Sequence, residues 1–187
     1  RTWTGDREKD YREIPEGKNI GDFVHEEDVY RFLSLISEDK PDSNYPFSTD
    51  EYRDMFRHTF WIVPGVKEAK ALSALIQRHP RFKDVYKVVN IAGEGDEEEP
   101  YDEALELVRS AIASYSHTIT LSCGKLTTGV TVREWTAIMM LTGSASTSAS
   151  GYMQAIFRVQ SPGSIDGKQK RNCYVFDFAP DRALKVI

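Results

Sequence analysis

The chain has 187 residues, of which 40% are hydrophobic and 28% are charged, and its formal net charge at pH 7 is −5. This length and composition are typical of one globular domain with a substantial buried core and a short appended segment. The negative charge argues against a dedicated electrostatic binder of nucleic acid, but it permits a local basic patch. No apolar run approaches the roughly 20 residues of a membrane span, so we expect no membrane partner and a cytoplasmic location.

Residues 1–57 are predicted to be a connector and helical segment that leads in from an upstream domain. Residues 1–22 are charged and are interrupted by proline and glycine. From Glu26 onward, four apolar residues follow helical spacing, namely Val29, Phe32, Leu33 and Ile36. Ser48 and Glu51 have the spacing of a capping box and predict a short helix with Ser48 as its N-cap. Because the chain begins Arg-Thr-Trp, without methionine, we expect it to be part of a longer protein.

An alternation of apolar runs and helical patterns begins at His58. The apolar runs predict five strands, at 59–63, 85–91, 117–122, 135–141 and 173–178. Helical spacing predicts helices between them, at 66–79, from Pro100 onward, and around Gln154–Arg158. Strands that alternate with helices indicate a mainly parallel sheet of about five or more strands, covered on both faces. We therefore predict a three-layer α/β/α domain over residues 58–187.

The segment from Thr118 to Ser161 carries the most specific pattern in the chain. An apolar run leads into Leu126-Thr127-Thr128-Gly129-Val130-Thr131, and a second run leads to a small-residue loop and a helical segment. In that helix Gln154 and Arg158 stand four residues apart, so they share one face. An amide and a guanidinium beside a Thr-Thr-Gly loop suit the handling of phosphate groups. Ligands gather at the carboxyl ends of parallel strands, so we expect the site there, formed by residues 64–65, 127–129 and 143–148.

This segment resembles the last two motifs of superfamily 2 helicases, the nucleic-acid translocases that are driven by ATP. Residues 126–131 are similar to motif V, and Gln154-Ala155-Ile156-Phe157-Arg158 is similar to motif VI, usually written Q-x-x-G-R-x-x-R. The sequence Tyr-Met-Gln-Ala-Ile-Phe-Arg-Val-Gln-Ser-Pro at 152–162 is most similar to the helicase subunits of restriction–modification enzymes. Three positions depart from the family pattern: Phe157 replaces the glycine, Ser161 the second arginine, and Thr131 the common aspartate.

The resemblance implies that the chain is the second RecA-like domain of such a motor. In that family ATP and Mg²⁺ bind in a cleft between two RecA-like domains, and the upstream domain supplies the P-loop. By resemblance, Arg158 reaches the phosphates as an arginine finger, and Gln154 places the nucleotide or the attacking water. The residues implied to couple the nucleotide to the DNA backbone are Thr127, Thr128, Gly129 and Thr131. The implied partners are the upstream RecA-like domain, DNA, and nuclease or methyltransferase modules.

Several other motifs fail on inspection, so we expect no phosphate cradle in this chain. Asp102-Glu103 resembles a magnesium-binding acidic box, but it follows an acidic run and suits the first turn of a helix. Cys123-Gly124-Lys125 lacks the leading glycine of a P-loop. The histidines and cysteines share no metal-ligand spacing, so we expect neither a zinc site nor a disulfide. The chain also has a basic loop, which contains Lys168, Lys170 and Arg171. We expect this loop to be a solvated hairpin that makes at most weak contact with a DNA backbone.

Two other functions stay open at this stage. The missing second arginine and Thr131 permit a non-catalytic binding module that keeps a helicase-like fold. The same loops also permit a stand-alone α/β enzyme that acts on a small phosphorylated ligand. Individually, Arg158 could form a surface ion pair with Glu134 or Asp177, and Gln154 could be a solvated helix residue. The Thr-Thr-Gly loop could be an ordinary turn. An upstream P-loop domain would distinguish the motor from both alternatives.

Overall fold

A computed structural model of the chain describes residues 23, 25–40, 42–92, 101–124, 131–143, 149–165 and 167–179. Its helices are α1 (Glu26–Ser37), α2 (Asp50–Met55), α3 (Val66–Arg78), α4 (Tyr101–Ser114) and α5 (Ala149–Phe157). Its strands are β1 (His58–Ile62), β2 (Lys87–Asn90), β3 (Thr118–Ser122), β4 (Ala137–Met140), β5 (Ser164–Ile165), β6 (Lys168–Gln169) and β7 (Tyr174–Asp177). None of the described helices is long and apolar enough to cross a membrane.

Five of these strands form one parallel sheet in the order β2-β3-β1-β4-β7. The central strand is β1, whose Phe60 is paired with Thr120 of β3 on one side and with Ile138 of β4 on the other. Every residue of β1, β3 and β4 is buried, because strands in a sheet covered on both faces have no solvated side. The predicted parallel sheet is confirmed. The remaining strands, β5 and β6, form an antiparallel hairpin at the predicted basic loop.

Helices cover both faces of the sheet, which confirms the predicted three layers. Side chains alternate along β1, so that Trp61 points to one face while Phe60 and Ile62 point to the other. The face of Trp61 is covered by α1 and α3, through buried residues that include Leu33, Ile36, Leu72 and Ile76. The opposite face is covered by α4 and α5, through Ala104, Val108, Tyr152 and Ala155. We call these coverings the α1–α3 layer and the α4–α5 layer.

Since the five strands of this sheet run in one direction, the sheet has a carboxyl edge and an amino edge. The residues that directly follow the strands at the carboxyl edge are Val63, Ile91, Cys123, Leu141 and Phe178. The residues that directly precede them at the amino edge are Arg57, Tyr86, His117, Thr136 and Cys173. A helix between two parallel strands must return the chain from the first edge to the second. Accordingly, α5 begins after the end of β4 and leads toward the start of β7.

The start of α2 differs from its prediction by one residue. Thr49 is the N-cap, and its Oγ1 accepts a hydrogen bond from the backbone N–H of Tyr52 at 3.1 Å. The Ser48 hydroxyl is buried and donates to the carbonyl oxygen of Tyr45 at 2.8 Å. The predicted capping box of Ser48 and Glu51 is therefore wrong, because the turn before α2 already uses the Ser48 hydroxyl.

The described residues before β1 pack directly on the sheet. The ring of Phe47 lies 5.7 Å from that of Trp61, and the ring of Phe56 lies 5.1 Å from that of Tyr174 in β7. Burying a side chain of this size contributes about 1.5–3 kcal/mol to stability. These contacts attach the helical segment to the α1–α3 side of the core. The predicted boundary between residues 57 and 58 stays a prediction.

Candidate functional site

The helix α5 is anchored by one face and directs Gln154 away from the core. Its anchoring residues, together with the turn that follows, are Tyr152, Ala155 and Val159, all of which are buried. Gln154 is exposed, and Arg158 is partly exposed. Phe157, which replaces the glycine of motif VI, is 49% exposed. The residues that hold α5 on the sheet are therefore separate from Gln154 and Arg158, the two residues predicted to contact the nucleotide.

The Arg158 side chain turns back onto the end of α5. Its Nε donates a hydrogen bond to the carbonyl oxygen of Gln154 at 3.2 Å. The last four carbonyl groups of a helix have no partner within the helix, so this bond satisfies one of them and orients the guanidinium. The two predicted motif VI residues are thus joined, although through the backbone of Gln154 and not through its amide. A planar group suited to bidentate contact with phosphate is held at the helix end.

The two described ends of the Thr-Thr-Gly segment lie at opposite edges of the sheet. Thr127, Thr128 and Gly129 themselves lie outside the described residues. Gly124 comes just after β3 at the carboxyl edge, whereas Thr131 is exposed near the last turns of α4, toward the amino edge. Residues 64–65 and Gly143 lie at the carboxyl edge, as predicted. Thr131, which was not among the residues predicted to lie there, is toward the amino edge because the chain must return to that edge to enter β4.

A cavity of about 550 Å³ lies between α4 and the segment that follows the Thr-Thr-Gly loop. Its described lining consists of Arg109, Ile112, Ala113, Thr131, Arg133 and Glu134. Both arginines are exposed, and Glu134 is partly exposed. Sequence reasoning missed Arg109 and Arg133, since they are distant in sequence and belong to neither motif. The nearest available signal was the position of Arg133 two residues after Thr131.

The predicted basic loop is the β5–β6 hairpin and its continuation, and its three cations are not equivalent. Lys168 and Arg171 are exposed. The Lys170 ammonium donates hydrogen bonds to the carbonyl oxygens of Arg133 at 3.1 Å and Trp135 at 2.9 Å. Burial of this ammonium lowers the pKa of Lys170 from its ordinary value. Lys170 therefore fastens the hairpin to the segment that enters β4, a role that its charge alone did not predict.

A second cavity, of about 290 Å³, separates this hairpin from α2. Lys168 and Arg171 line it on one side, and Asp54 and Arg57 on the other. Arg57 forms an ion pair with Asp54, and the hydrogen bond from Arg57 is the main cause that holds the pKa of Asp54 below its ordinary value. The sequence predicted a basic loop here but not the acidic partner across the groove.

The residues that failed as nucleotide motifs have ordinary structural positions. Asp102 and Glu103 are in the first turn of α4, where negative charge stabilises the helix dipole. Cys123 and Cys173 are free thiols. In the described part of the chain, no group of three His, Cys, Asp or Glu side chains is arranged to hold a metal ion.

Comparison with known proteins places this geometry in context. The chain is 31% identical over 174 residues to the C-terminus of a type II restriction enzyme and methyltransferase of Mycoplasma pneumoniae. That alignment covers 90% of the chain but only 24% of the relative, so the chain spans about a quarter of the length of the protein it matches. No protein-family model matches the chain.

Two solved structures are similar in fold. The ATP-dependent Type ISP restriction–modification enzyme LlaBIII bound to DNA superposes with a TM-score of 0.56 at 16% identity, covering 90% of this chain and 11% of that enzyme. The Mss116p DEAD-box helicase domain 2 bound to an RNA duplex superposes with a TM-score of 0.49 at 16% identity, covering 73% of this chain and 51% of that one. The five-stranded parallel sheet with helices on both faces is consistent with the predicted RecA-like α/β fold, and the predicted resemblance to restriction–modification enzymes is confirmed.

Proposed function

We propose that the chain is the C-terminal motor domain of an ATP-dependent DNA helicase or translocase that forms part of a restriction–modification enzyme. Support comes from the sequence similarity to a restriction enzyme and methyltransferase over 90% of the chain. Further support comes from the fold shared with an ATP-dependent Type ISP enzyme. The chain works in the cytoplasm, beside nuclease or methyltransferase modules of the same system.

The observation that carries this proposal is the position of Arg158. Val159 is fully buried under the sheet, while the adjacent Arg158 guanidinium is held at the helix end by the carbonyl of Gln154. A guanidinium on a rigid, anchored helix can meet a phosphate that a different domain holds, and can stabilise charge that develops in phosphoryl transfer. In this mechanism Arg158 is the arginine finger, and Gln154 places the nucleotide or the attacking water.

The remaining parts of the motor come from elsewhere in the whole protein. ATP and Mg²⁺ bind mainly to an upstream RecA-like domain with a P-loop. Asp102 and Glu103, which resemble a magnesium-binding box, instead lie in the first turn of α4, where their charge stabilises the helix. Residues that couple nucleotide binding to the DNA backbone are Thr127, Thr128, Gly129 and Thr131. Lys168 and Arg171 add a weak backbone contact from the hairpin. Lys170, which was expected to share that contact, instead holds the hairpin in place.

ATP turnover by two forms of the protein tests this proposal. We expect the full-length protein to hydrolyse ATP and DNA to stimulate the reaction. The purified 187-residue chain should hydrolyse none, since catalysis requires the phosphate cradle and metal ligands of the upstream domain. Turnover by the isolated chain above the level of a mock purification would contradict the proposal.

The departures from motif VI favour one alternative, a non-catalytic module that binds partners through a helicase-like fold. Ser161 provides no second guanidinium, and Phe157 places an exposed ring where the motif has glycine. In that case the full-length protein would bind DNA without DNA-stimulated ATP turnover. The same assay therefore distinguishes the two functions.

A further inference from the structure

The cavity beside Thr131 contains two guanidinium groups that the motifs do not explain. Arg109 projects from α4 and Arg133 from the segment before β4, and both line the same space of about 550 Å³. In the described part of the chain neither side chain forms a hydrogen bond or an ion pair, even with Glu134 in the same lining. Two guanidinium groups and one carboxylate leave a net positive charge there, which favours an anionic ligand.

The backbone of Arg133 is held firmly while its side chain stays exposed. A Cβ atom at Gly163 would lie 2.8 Å from both the Cβ and the carbonyl oxygen of Arg133, so only glycine permits this close packing. The Lys170 ammonium also binds the Arg133 carbonyl, at 3.1 Å. Trp135, two residues after Arg133, is buried and stacks on Phe60 with ring centroids 4.3 Å apart. The Arg133 side chain therefore extends into the cavity from a backbone position that packing fixes.

The same packing brings Arg133 close to the place of the missing motif VI arginine. Ser161 occupies that place and stands two residues before Gly163, so their Cα atoms are within about 7.6 Å of each other. An arginine side chain is long enough to cover such a distance. Arg133 can therefore present a guanidinium near the position that Ser161 leaves without one.

We propose that this cavity binds a phosphate group through Arg133, with Arg109 on the opposite wall, and that Arg133 takes the place of the second arginine of motif VI. A guanidinium binds phosphate by two parallel hydrogen bonds, and Thr131 contributes a hydroxyl to the same cavity. The phosphate comes either from the nucleotide or from the DNA backbone. This inference rests on the proposed motor function.

The test measures DNA-stimulated ATP turnover by the full-length protein with Arg133→Gln. We expect turnover to fall about tenfold, because hydrogen bonds to a charged group are lost. The melting temperature should not change, since the Arg133 guanidinium forms no described hydrogen bond or ion pair and glutamine keeps the Cβ that packs near Gly163. Arg81→Gln serves as the matched control, because Arg81 is an exposed arginine in the turn after α3 and lies outside the cavity.

Two further measurements identify the source of the phosphate. A fall in kcat at saturating DNA, restored by Ser161→Arg in the Arg133→Gln background, assigns the phosphate to the nucleotide. A raised DNA concentration for half-maximal stimulation, with kcat unchanged at saturation, assigns it to the DNA backbone. Either result supports the phosphate site.

Arg158→Ala in the same assay separates failure of this inference from failure of the proposed function. If Arg158→Ala is inactive while Arg133→Gln matches the wild type in kcat and in DNA dependence, the phosphate site is wrong and the motor proposal stands. If both variants match a wild-type protein that hydrolyses ATP, both arginine roles are wrong, whereas a wild-type protein without DNA-stimulated turnover overturns the proposed function itself. A loss in Arg133→Gln that accompanies a lowered melting temperature indicates a structural role and also overturns the inference.

Discussion

The two layers of this domain use their buried and exposed residues differently. The α1–α3 layer closes over a cluster of aromatic rings from four parts of the chain, which includes Phe47, Phe56, Trp61, Phe82 and Tyr86. Among the described residues of the α4–α5 layer, Phe60 stacks on Trp135, and most of the other buried side chains are aliphatic. Its polar residues Gln154, Arg158, Thr131, Arg109 and Arg133 are exposed or partly exposed.

This difference shows how one sheet can be both a stable core and a platform for chemistry. A ring cluster buried from several directions stabilises the fold and leaves little to contact a ligand. A helix anchored by a few buried residues can hold charged groups in fixed positions at the surface. We therefore expect substitutions in the α1–α3 layer to change stability, and substitutions on the outer side of the α4–α5 layer to change activity.

The largest effect should come from Arg158→Ala in the full-length protein. Removing an arginine finger takes away stabilisation of charge in the transition state, so ATP turnover should fall by about 10³-fold or more. Arg158→Lys should recover little, because a point charge does not reproduce the planar fork. Steady-state ATP hydrolysis measures both variants.

The adjacent residue provides the control for that experiment. Val159 is fully buried, so Val159→Asp places a charge against the sheet and should prevent normal folding. Arg158→Ala should retain the wild-type circular dichroism spectrum and melting temperature. Wild-type turnover in a folded Arg158→Ala protein would show that Arg158 is an ordinary surface residue.

The second prediction compares a buried and an exposed phenylalanine. Phe47 is 1% exposed and its ring contacts those of Trp61, Phe82 and Tyr86, so Phe47→Ala should lower the free energy of unfolding by about 3–5 kcal/mol. Phe157→Ala, on the outer layer, should change it by less than about 0.5 kcal/mol. Urea unfolding measures both. Equal losses would contradict the proposed division between the layers.

The third prediction concerns the fastening of the hairpin. Lys170→Met removes two hydrogen bonds from an ammonium to backbone carbonyls, so we expect a loss of about 1–2 kcal/mol in the free energy of unfolding. Lys168→Met, two residues away on an exposed side chain, should leave stability unchanged. Chemical denaturation provides the measurement. A Lys170→Met protein as stable as Lys168→Met would show that the ammonium has no structural role.

The fourth prediction concerns DNA binding by the 187-residue chain. With a net charge of −5, it should bind DNA weakly at physiological salt. At low salt, Lys168→Gln combined with Arg171→Gln should reduce affinity by about threefold and make the salt dependence less steep. Fluorescence anisotropy with a labelled oligonucleotide follows both effects. Tight binding that is insensitive to salt would contradict this view of the surface.

The smallest effect is a pH dependence in the α1–α3 layer. His79 is buried, its Nδ1 accepts a hydrogen bond from the backbone N–H of Arg81 at 3.3 Å, and its Nε2 is bonded to the Ser34 hydroxyl at 3.0 Å. Burial, with a smaller contribution from Arg81, lowers the pKa of His79. The unfolded chain therefore takes up a proton at a higher pH than the folded one, and stability should be lost as the pH falls below about 6.5.

Urea unfolding at pH 7.5 and pH 5.5 measures this dependence. The wild-type chain should lose more stability between the two pH values than His79→Gln, in which this proton uptake is absent. His117, whose pKa is also lowered mainly by burial, contributes in both proteins and cancels in the comparison. An equal loss in the two proteins would show that protonation of His79 does not contribute.

Much of the fold could be predicted from local pattern. Continuous apolar runs at 59–63 and 117–122 identified β1 and β3, because strands buried on both faces have no polar alternation. The motif order, with Gln154 and Arg158 four residues apart, predicted a helix with one outward face, and α5 has that form. Both results depend on interactions between residues that are near in sequence. The sequence alone therefore determined the layers, the parallel sheet and the anchored helix.

Contacts between distant residues were decided only by the tertiary structure. The sequence predicted Lys170 to be a solvated cation. In the folded chain its ammonium binds two backbone carbonyls that lie 35 and 37 residues earlier in the sequence. Arg109 and Arg133 share a cavity only because α4 returns the chain to the amino edge, near the segment that enters β4. Such pairings follow from strand order and helix direction, which fix distances that no local spacing encodes.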